Sequence, residues 1–184
     1  MNYHDIKHDN MLNGEGLRVV LFVSGCNHHC FNCQNPQTWD CNSGIEFDDQ
    51  AMLEIKEQLE NDYISGITFS GGDPLHENNI ETISGIVNMI KSFYPTKTIW
   101  LYTGYTWEEL NPMTLYKGIS EEDNIHNLRS SIIKRCDVLV EGRFVDALND
   151  INYPWAGSTN QRIIDIKQSF QKGVMCEWGK QDIS

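Results

Sequence analysis

Six cysteines occur in the 184-residue chain, and Cys26, Cys30 and Cys33 fall close together on one short stretch. Cys41 follows soon after, whereas Cys136 and Cys176 stand alone. In a chain without an export signal, a tight cysteine cluster points to a metal or redox site in preference to structural crosslinks. The stretch Ser24-Gly25-Cys26-Asn27-His28-His29-Cys30-Phe31-Asn32-Cys33 has to curl only once for three sulfurs to face one centre. Three chemistries compete there. A zinc site would be completed by Cys41, His28 or His29, but structural zinc sites usually pair two short knuckles, and no second knuckle follows. A cluster with Cys41 as a fourth thiolate would serve electron transfer. A [4Fe–4S] cluster held by three thiolates alone would leave one iron open to a non-protein ligand, and the C-x3-C-x2-C spacing leans toward this arrangement.

A second stretch, Ser70-Gly71-Gly72-Asp73-Pro74-Leu75, follows a strand pattern and precedes a helical one. Two glycines let backbone groups approach a ligand with no side chain between. Asp73 adds a carboxylate, and Pro74 fixes the chain leaving the turn. Such an edge suits an ammonium, which needs several acceptors at once. It suits phosphate poorly, because Asp73 would repel it and no P-loop lysine follows. Taken alone, the stretch reads equally well as a tight strand-to-helix turn. Beside an open iron, it fits a ligand carrying both an ammonium and a metal-chelating carboxylate.

These residues need elements to position them. Strands are expected at Leu17–Ser24, Ile64–Ser70, Lys97–Thr103, Cys136–Glu141 and Arg162–Ile166. The runs Val19 to Val23 and Val138 to Val140 are apolar without alternation, as in parallel strands covered by helices. Helical stripes lie between: Met52, Ile55 and Leu59 behind candidate caps Asp48 and Asp49; Ile80, Ile83, Ile86, Val87 and Ile90; and Ile125, Leu128, Ile132 and Ile133. Thr106-Trp107-Glu108-Glu109 has the spacing of a capping box. Residues 111–124 read as a surface connection, and residues 167–184 as a tail without a clear period. Alternation of strand and helix predicts an α/β fold in one domain spanning residues 1–184. About 250 residues are usual for a closed eight-stranded barrel, so an incomplete (β/α) barrel or an open, mainly parallel sheet is expected. Four strands end at once in glycine, at Gly25, Gly71, Gly104 and Gly142. In parallel sheets ligands bind at the carboxyl edge, so all four turns, one bearing the thiolates, should face a common cleft.

The cysteine triplet followed by Gly71-Gly72-Asp73-Pro74 resembles the radical S-adenosylmethionine enzymes. Within that superfamily the chain is most similar to the activating proteins of anaerobic ribonucleoside-triphosphate reductase. The narrower likeness rests on Asn13 to Arg18, Leu21 to Cys26, Asn35 with Thr38-Trp39, Asn42 to Gly44, Ser70 to Leu75, Trp100 to Tyr105, Val138 to Phe144 and Gly157 to Gln161. It extends to about Ile166.

The resemblance implies a [4Fe–4S] cluster on Cys26, Cys30 and Cys33 whose fourth iron chelates the amino and carboxylate groups of S-adenosylmethionine. Gly71, Gly72 and Asp73 would hold the ammonium, Asn32 and Gln34 would contact the adenosyl part, and Thr103 would join the cofactor-binding set. One electron would cleave the sulfonium, and the resulting 5′-deoxyadenosyl radical would take a hydrogen from a glycine of the large reductase subunit. The implied reductant is a flavodoxin. In the superfamily the position before the third cysteine is often aromatic; here it is Asn32, with Phe31 one place earlier. By their positions, His28 and His29 read as solvated loop residues, Cys41 as a packing residue, and Cys136 as the start of a buried strand. Tyr105, Arg143 and Arg162 are candidate cleft residues, and Trp39, Trp100 and Trp155 core or interface aromatics.

Composition sets the outer limits. Fourteen Lys and Arg against 26 Asp and Glu give a net charge of −12, which argues against a nucleic-acid backbone or an anionic membrane as the main partner. The longest apolar run is far too short to span a bilayer, and the first residues lack the layout of a secretory signal. The expected location is the cytoplasm. The rival functions are a zinc-binding adaptor using Cys26, Cys30, Cys33 and Cys41, a four-thiolate electron carrier, and an activator of a different glycyl radical enzyme such as a formate-lyase type.

Overall fold

A computed structural model describes residues 1–179. Seven strands form one sheet: β1 (Asn2–Asn10), β2 (Arg18–Val23), β3 (Ile45–Glu46), β4 (Gly66–Gly71), β5 (Thr98–Thr103), β6 (Val138–Glu141) and β7 (Arg162–Asp165). Their order is β3-β1-β2-β4-β5-β6-β7. Strands β2, β4, β5 and β6 are parallel, while on one flank β1 pairs antiparallel with both β2 and β3, and on the other β7 pairs antiparallel with β6. This is the open, mainly parallel α/β sheet expected from the strand–helix alternation.

Five helices accompany the sheet: α1 (Asp49–Leu59), α2 (Ile80–Phe93), α3 (Trp107–Leu110), α4 (Glu121–Arg135) and α5 (Ile166–Lys172). Asp48 caps α1 by accepting from the N–H groups of Gln50 and Ala51. Thr106 and Glu109 close the capping box of α3. Ser120 and Asp123 form a second capping box, so the end of the polar stretch read as a connection is the first turn of α4. The tail left unplaced by its sequence turns back on the sheet. After α5, which ends at left-handed Gly173, Glu177 bridges to Ile164 and the Trp178 N–H donates to the Ile163 carbonyl.

The two faces of the sheet are covered differently. Val19, Leu21, Val23, Ile67, Phe69, Ile99, Leu101, Leu139 and Ile164 face the helices in one large core, which takes in residues from all five. The alternate positions Trp100, Val138 and Val140 form a second, smaller cluster with Tyr102, Trp155 and Trp178. Its cover among the described residues comes from the loop after β6 and from the tail, not from helices as the apolar runs suggested. Trp100 meets Trp155 and Trp178 edge to face, with ring centroids 5.3 and 5.8 Å apart. On the same side Arg18 is fully buried, and among the described residues no carboxylate forms an ion pair with it. Its Nε donates to Thr68 Oγ1, Nη1 to Thr98 Oγ1 and the Glu15 carbonyl, and Nη2 to the Ile67 and Thr98 carbonyls. All five donors are thereby satisfied by neutral oxygens. Burial pulls the guanidinium down to about 10, still charged at neutral pH. The residue ties β2, β4 and β5 together at the edge opposite the glycine turns.

Candidate functional site

The turns after β2, β4, β5 and β6 adjoin one another: the Asp73 N–H donates to the Gly25 carbonyl, the Gly104 N–H to the Asp73 carboxylate and the Gly142 N–H to the Tyr105 carbonyl. Gly25 follows β2 with φ +97°, and its N–H donates to the Thr38 carbonyl at 2.7 Å; the Cys26 N–H donates to Trp39. These bonds fold the segment after Cys33 back against the base of the cysteine loop. Within the loop, His29 and Asn32 are left-handed, with φ of 45° and 53°. Asparagine adopts that conformation at lower cost than most side chains, which is a physical reason for Asn32 at this position. Phe31 projects outward at 77% exposure, and Asn32 and Gln34 are also exposed.

Of the three loop sulfurs, Cys33 Sγ accepts a backbone hydrogen bond, from the Asn35 N–H at 3.4 Å. Cys136 and Cys176 instead donate, to the Ile132 and Val174 carbonyls. Cys136 caps the end of α4, two residues before β6 begins. Burial raises the Cys26 thiol to about 11 and moves Cys30 in the same direction. The donor set, three thiols on one loop, fits a cluster. Among the described residues no trio of His, Cys, Asp or Glu is spaced to hold a single metal ion. Cys41 lies beside Gly25, near the ring of His76.

Gly71 and Gly72 sit against the same loop. The Gly72 N–H donates to the Val23 carbonyl and the Asp73 N–H to the Gly25 carbonyl, both at 2.7 Å. A Cβ on Gly72 would lie 2.6 Å from the Gly25 oxygen, so only glycine lets the two turns approach this closely. Asp73 is in the turn, as expected, but its carboxylate is not free. It is 1% exposed and accepts from four groups: the Leu75 N–H (2.8 Å), Thr103 Oγ1 (3.0 and 2.9 Å), the Gly104 N–H (3.0 Å) and His28 Nε2 (2.7 Å). Thr103 thus meets Asp73 at the heart of the site. His28, read from the sequence as solvated, has a side chain only 6% exposed.

Other residues complete the frame. Tyr105 stands edge-on to His28 with centroids 4.6 Å apart, and Arg129 of α4 lies over the Tyr105 ring while donating to its hydroxyl and to the Leu75 carbonyl. Asn79, fully buried ahead of α2, donates from one amide nitrogen to the Ser24 and Asp73 carbonyls, while its own Oδ1 has no partner. Arg143 is a bidentate partner of Glu109, and Arg162 bridges Glu108 and buried Glu141, so both arginines brace the β5 and β6 turns. The sequence had no local sign of His28, Asn79 or Arg129, because each acts on a residue far along the chain. Trp39 packs against His29, and Trp100 and Trp155 belong to the second cluster, as aromatics of a core or interface should.

Residues 12–164 match the family described as a 4Fe-4S single cluster domain. The chain is 39% identical over 169 residues to the anaerobic ribonucleoside-triphosphate reductase-activating protein of Escherichia coli K12, covering 91% of this chain and all of that one. It is 37% identical over 163 residues to the protein of the same name from Enterobacteria phage T4, covering 89% of this chain and 93% of the relative. The Haemophilus influenzae relative is 37% identical over 169 residues, covering 91% and 99%. The chain belongs to the family of anaerobic ribonucleoside-triphosphate reductase-activating proteins. The match to a 4Fe-4S domain brackets the cysteine loop and the four glycine turns. No helix among the described residues is long and apolar enough to cross a membrane.

Proposed function

We propose that this chain activates an anaerobic ribonucleoside-triphosphate reductase as a radical S-adenosylmethionine enzyme, with a [4Fe–4S] cluster on Cys26, Cys30 and Cys33. The observation that carries this reading is the loop of three thiols whose base is tied, through the Asp73 N–H to the Gly25 carbonyl, to a glycine turn at the carboxyl edge of a parallel sheet. When bound, the cluster supplies one electron to the sulfonium, leaving methionine and a 5′-deoxyadenosyl radical that takes a hydrogen atom from a glycine of the large reductase subunit.

The chain's own part is to bind and to shield. Asp73 is saturated by protein donors, so the ammonium is assigned to backbone carbonyls at Gly71 and Gly72, with Asp73 and Thr103 fixing the turn's shape. Asn32 and Gln34, exposed beside the loop, are assigned to the adenosyl part. A primary carbon radical attacks any nearby C–H, so the site must exclude water and stray hydrogen donors, and the large partner supplies part of that cover. A flavodoxin is the proposed reductant, and the cytoplasm the proposed setting.

The test is anaerobic mixing of the reconstituted protein with the large subunit, S-adenosylmethionine and dithionite. A glycyl radical signal by EPR together with 5′-deoxyadenosine is the expected result. Stoichiometric zinc without visible absorbance, or no 5′-deoxyadenosine under dithionite, would overturn the assignment. A radical formed only on a formate-lyase type partner would redirect it.

A further inference from the structure

His28 touches both halves of the site at once. It stands between Cys26 and Cys30 on the cysteine loop, and its ring Nε2, 2.7 Å from Asp73 Oδ2, reaches the glycine turn expected to hold the ammonium. A carboxylate can only accept, so Nε2 carries the proton in this contact. The ring has been given room: a Cβ on Gly104 would fall 2.3 Å from it, so glycine after β5 is a condition of its seat. Tyr105 closes its flank, and Arg129 holds Tyr105 and the Leu75 carbonyl together. The other contributors to the Asp73 carboxylate, Thr103, Gly104 and Leu75, come from β5 and from the turn itself. Among the side chains that bond this carboxylate, His28 therefore comes from the cysteine loop and Thr103 from the sheet.

We infer that His28 is a positioning residue that locks the cysteine loop to the Gly71–Asp73 turn, so that the sulfur ligands and the ammonium acceptors are held in one register. This rests on the S-adenosylmethionine reading above and deepens it. Without the ring, Asp73 keeps its bonds to the sheet, but the loop loses its side-chain tie to the turn. The two ends of a ligand that must chelate an iron and place an ammonium would then no longer find their sites at a fixed separation.

Two variants test the lock. His28→Ala removes it, and His28→Gln keeps a side-chain N–H able to reach Asp73. In the cluster-free protein, hydrogen exchange followed by mass spectrometry should show faster exchange across residues 70–76 for the alanine variant, and recovery for glutamine. After anaerobic reconstitution both variants should hold iron at the wild-type level. S-adenosylmethionine affinity, read by equilibrium dialysis with labelled compound, should weaken roughly tenfold or more for His28→Ala and recover most of that loss in His28→Gln. Product formed at saturating S-adenosylmethionine should fall far less than affinity does. Unchanged exchange at 70–76 in His28→Ala, or a glutamine variant as impaired as alanine, would overturn the inference. Wild-type protein that fails to bind S-adenosylmethionine would instead sink the proposed function, while the exchange measurement on cluster-free protein would still judge the lock.

Discussion

At the scale of single residues, Asp73 shows how a side chain that looks like a ligand group can be a framework group. Its two oxygens hold donors from the cysteine loop, the β5 turn and its own turn. Asp73→Asn would point an amide N–H at donors that need an acceptor, leaving at least one buried polar group unpaired. We expect a loss of about 1–3 kcal/mol in urea unfolding of the cluster-free protein. Cleavage of S-adenosylmethionine should drop more steeply than that loss alone accounts for. The sulfurs give a separate expectation. Changing Cys26, Cys30 or Cys33 to serine should abolish a cluster of about four iron per chain, whereas Cys41→Ser should keep it, as read by iron analysis after reconstitution. The triplet was legible because cysteine spacing is local. The partnership of His28 with Asp73 was not, because it joins residues 45 positions apart and nothing within the loop marks one histidine from its neighbour.

At the scale of elements, legibility followed burial. Strands β2, β4, β5 and β6 are buried on both faces, and apolar runs or β-branched residues disclosed them. Strand β1, Asn-Tyr-His-Asp-Ile-Lys-His-Asp-Asn, buries only Tyr3 and Ile6 and carries the polar residues of a sheet flank, so periodicity passed over it. Strand β3 has two residues and no pattern to read. The glycine turns give the sharpest element-scale expectation. Gly72→Ala must push the β4 turn from the β2 turn and should cost about 1–3 kcal/mol, with loss of S-adenosylmethionine binding in the same dialysis assay. The α3 helix is braced by arginines: Arg162 holds the Glu108 carboxyl, and Arg143 the Glu109 carboxyl, below the ordinary range. A carboxyl depressed on folding adds stability above its unfolded value of about 4.3 and loses it as pH falls through the folded one. The difference in urea midpoint between wild type and Glu109→Gln should therefore be small at neutral pH, because the pair is exposed, and shrink as pH falls below the ordinary carboxylate range.

At the scale of the whole molecule, the sheet has one face under helices and one under a loop and the tail. The tail's segment after Gly173 had no period to betray it, yet Trp178 lies on Trp100 and its N–H pairs with β7. Trp178→Ala should thin the cover of the second face and cost about 2–4 kcal/mol, with intrinsic fluorescence of Trp100 shifted toward longer wavelength as the check. Arg18 belongs to this scale too, since it joins three strands. Arg18→Met would strand several buried oxygens and should cost about 3 kcal/mol, measured by urea unfolding, without changing iron content per folded molecule. Arg18 opens β2, and Cys26 follows three residues after the strand closes at Val23, with about 20 Å of strand between. The guanidinium that ties three strands and the cysteine loop thus sit at opposite ends of a single segment. Exchanging Thr68 or Thr98 for a side chain without a hydroxyl would unpair a buried Arg18 donor, so it should lower stability while leaving the sulfur end untouched.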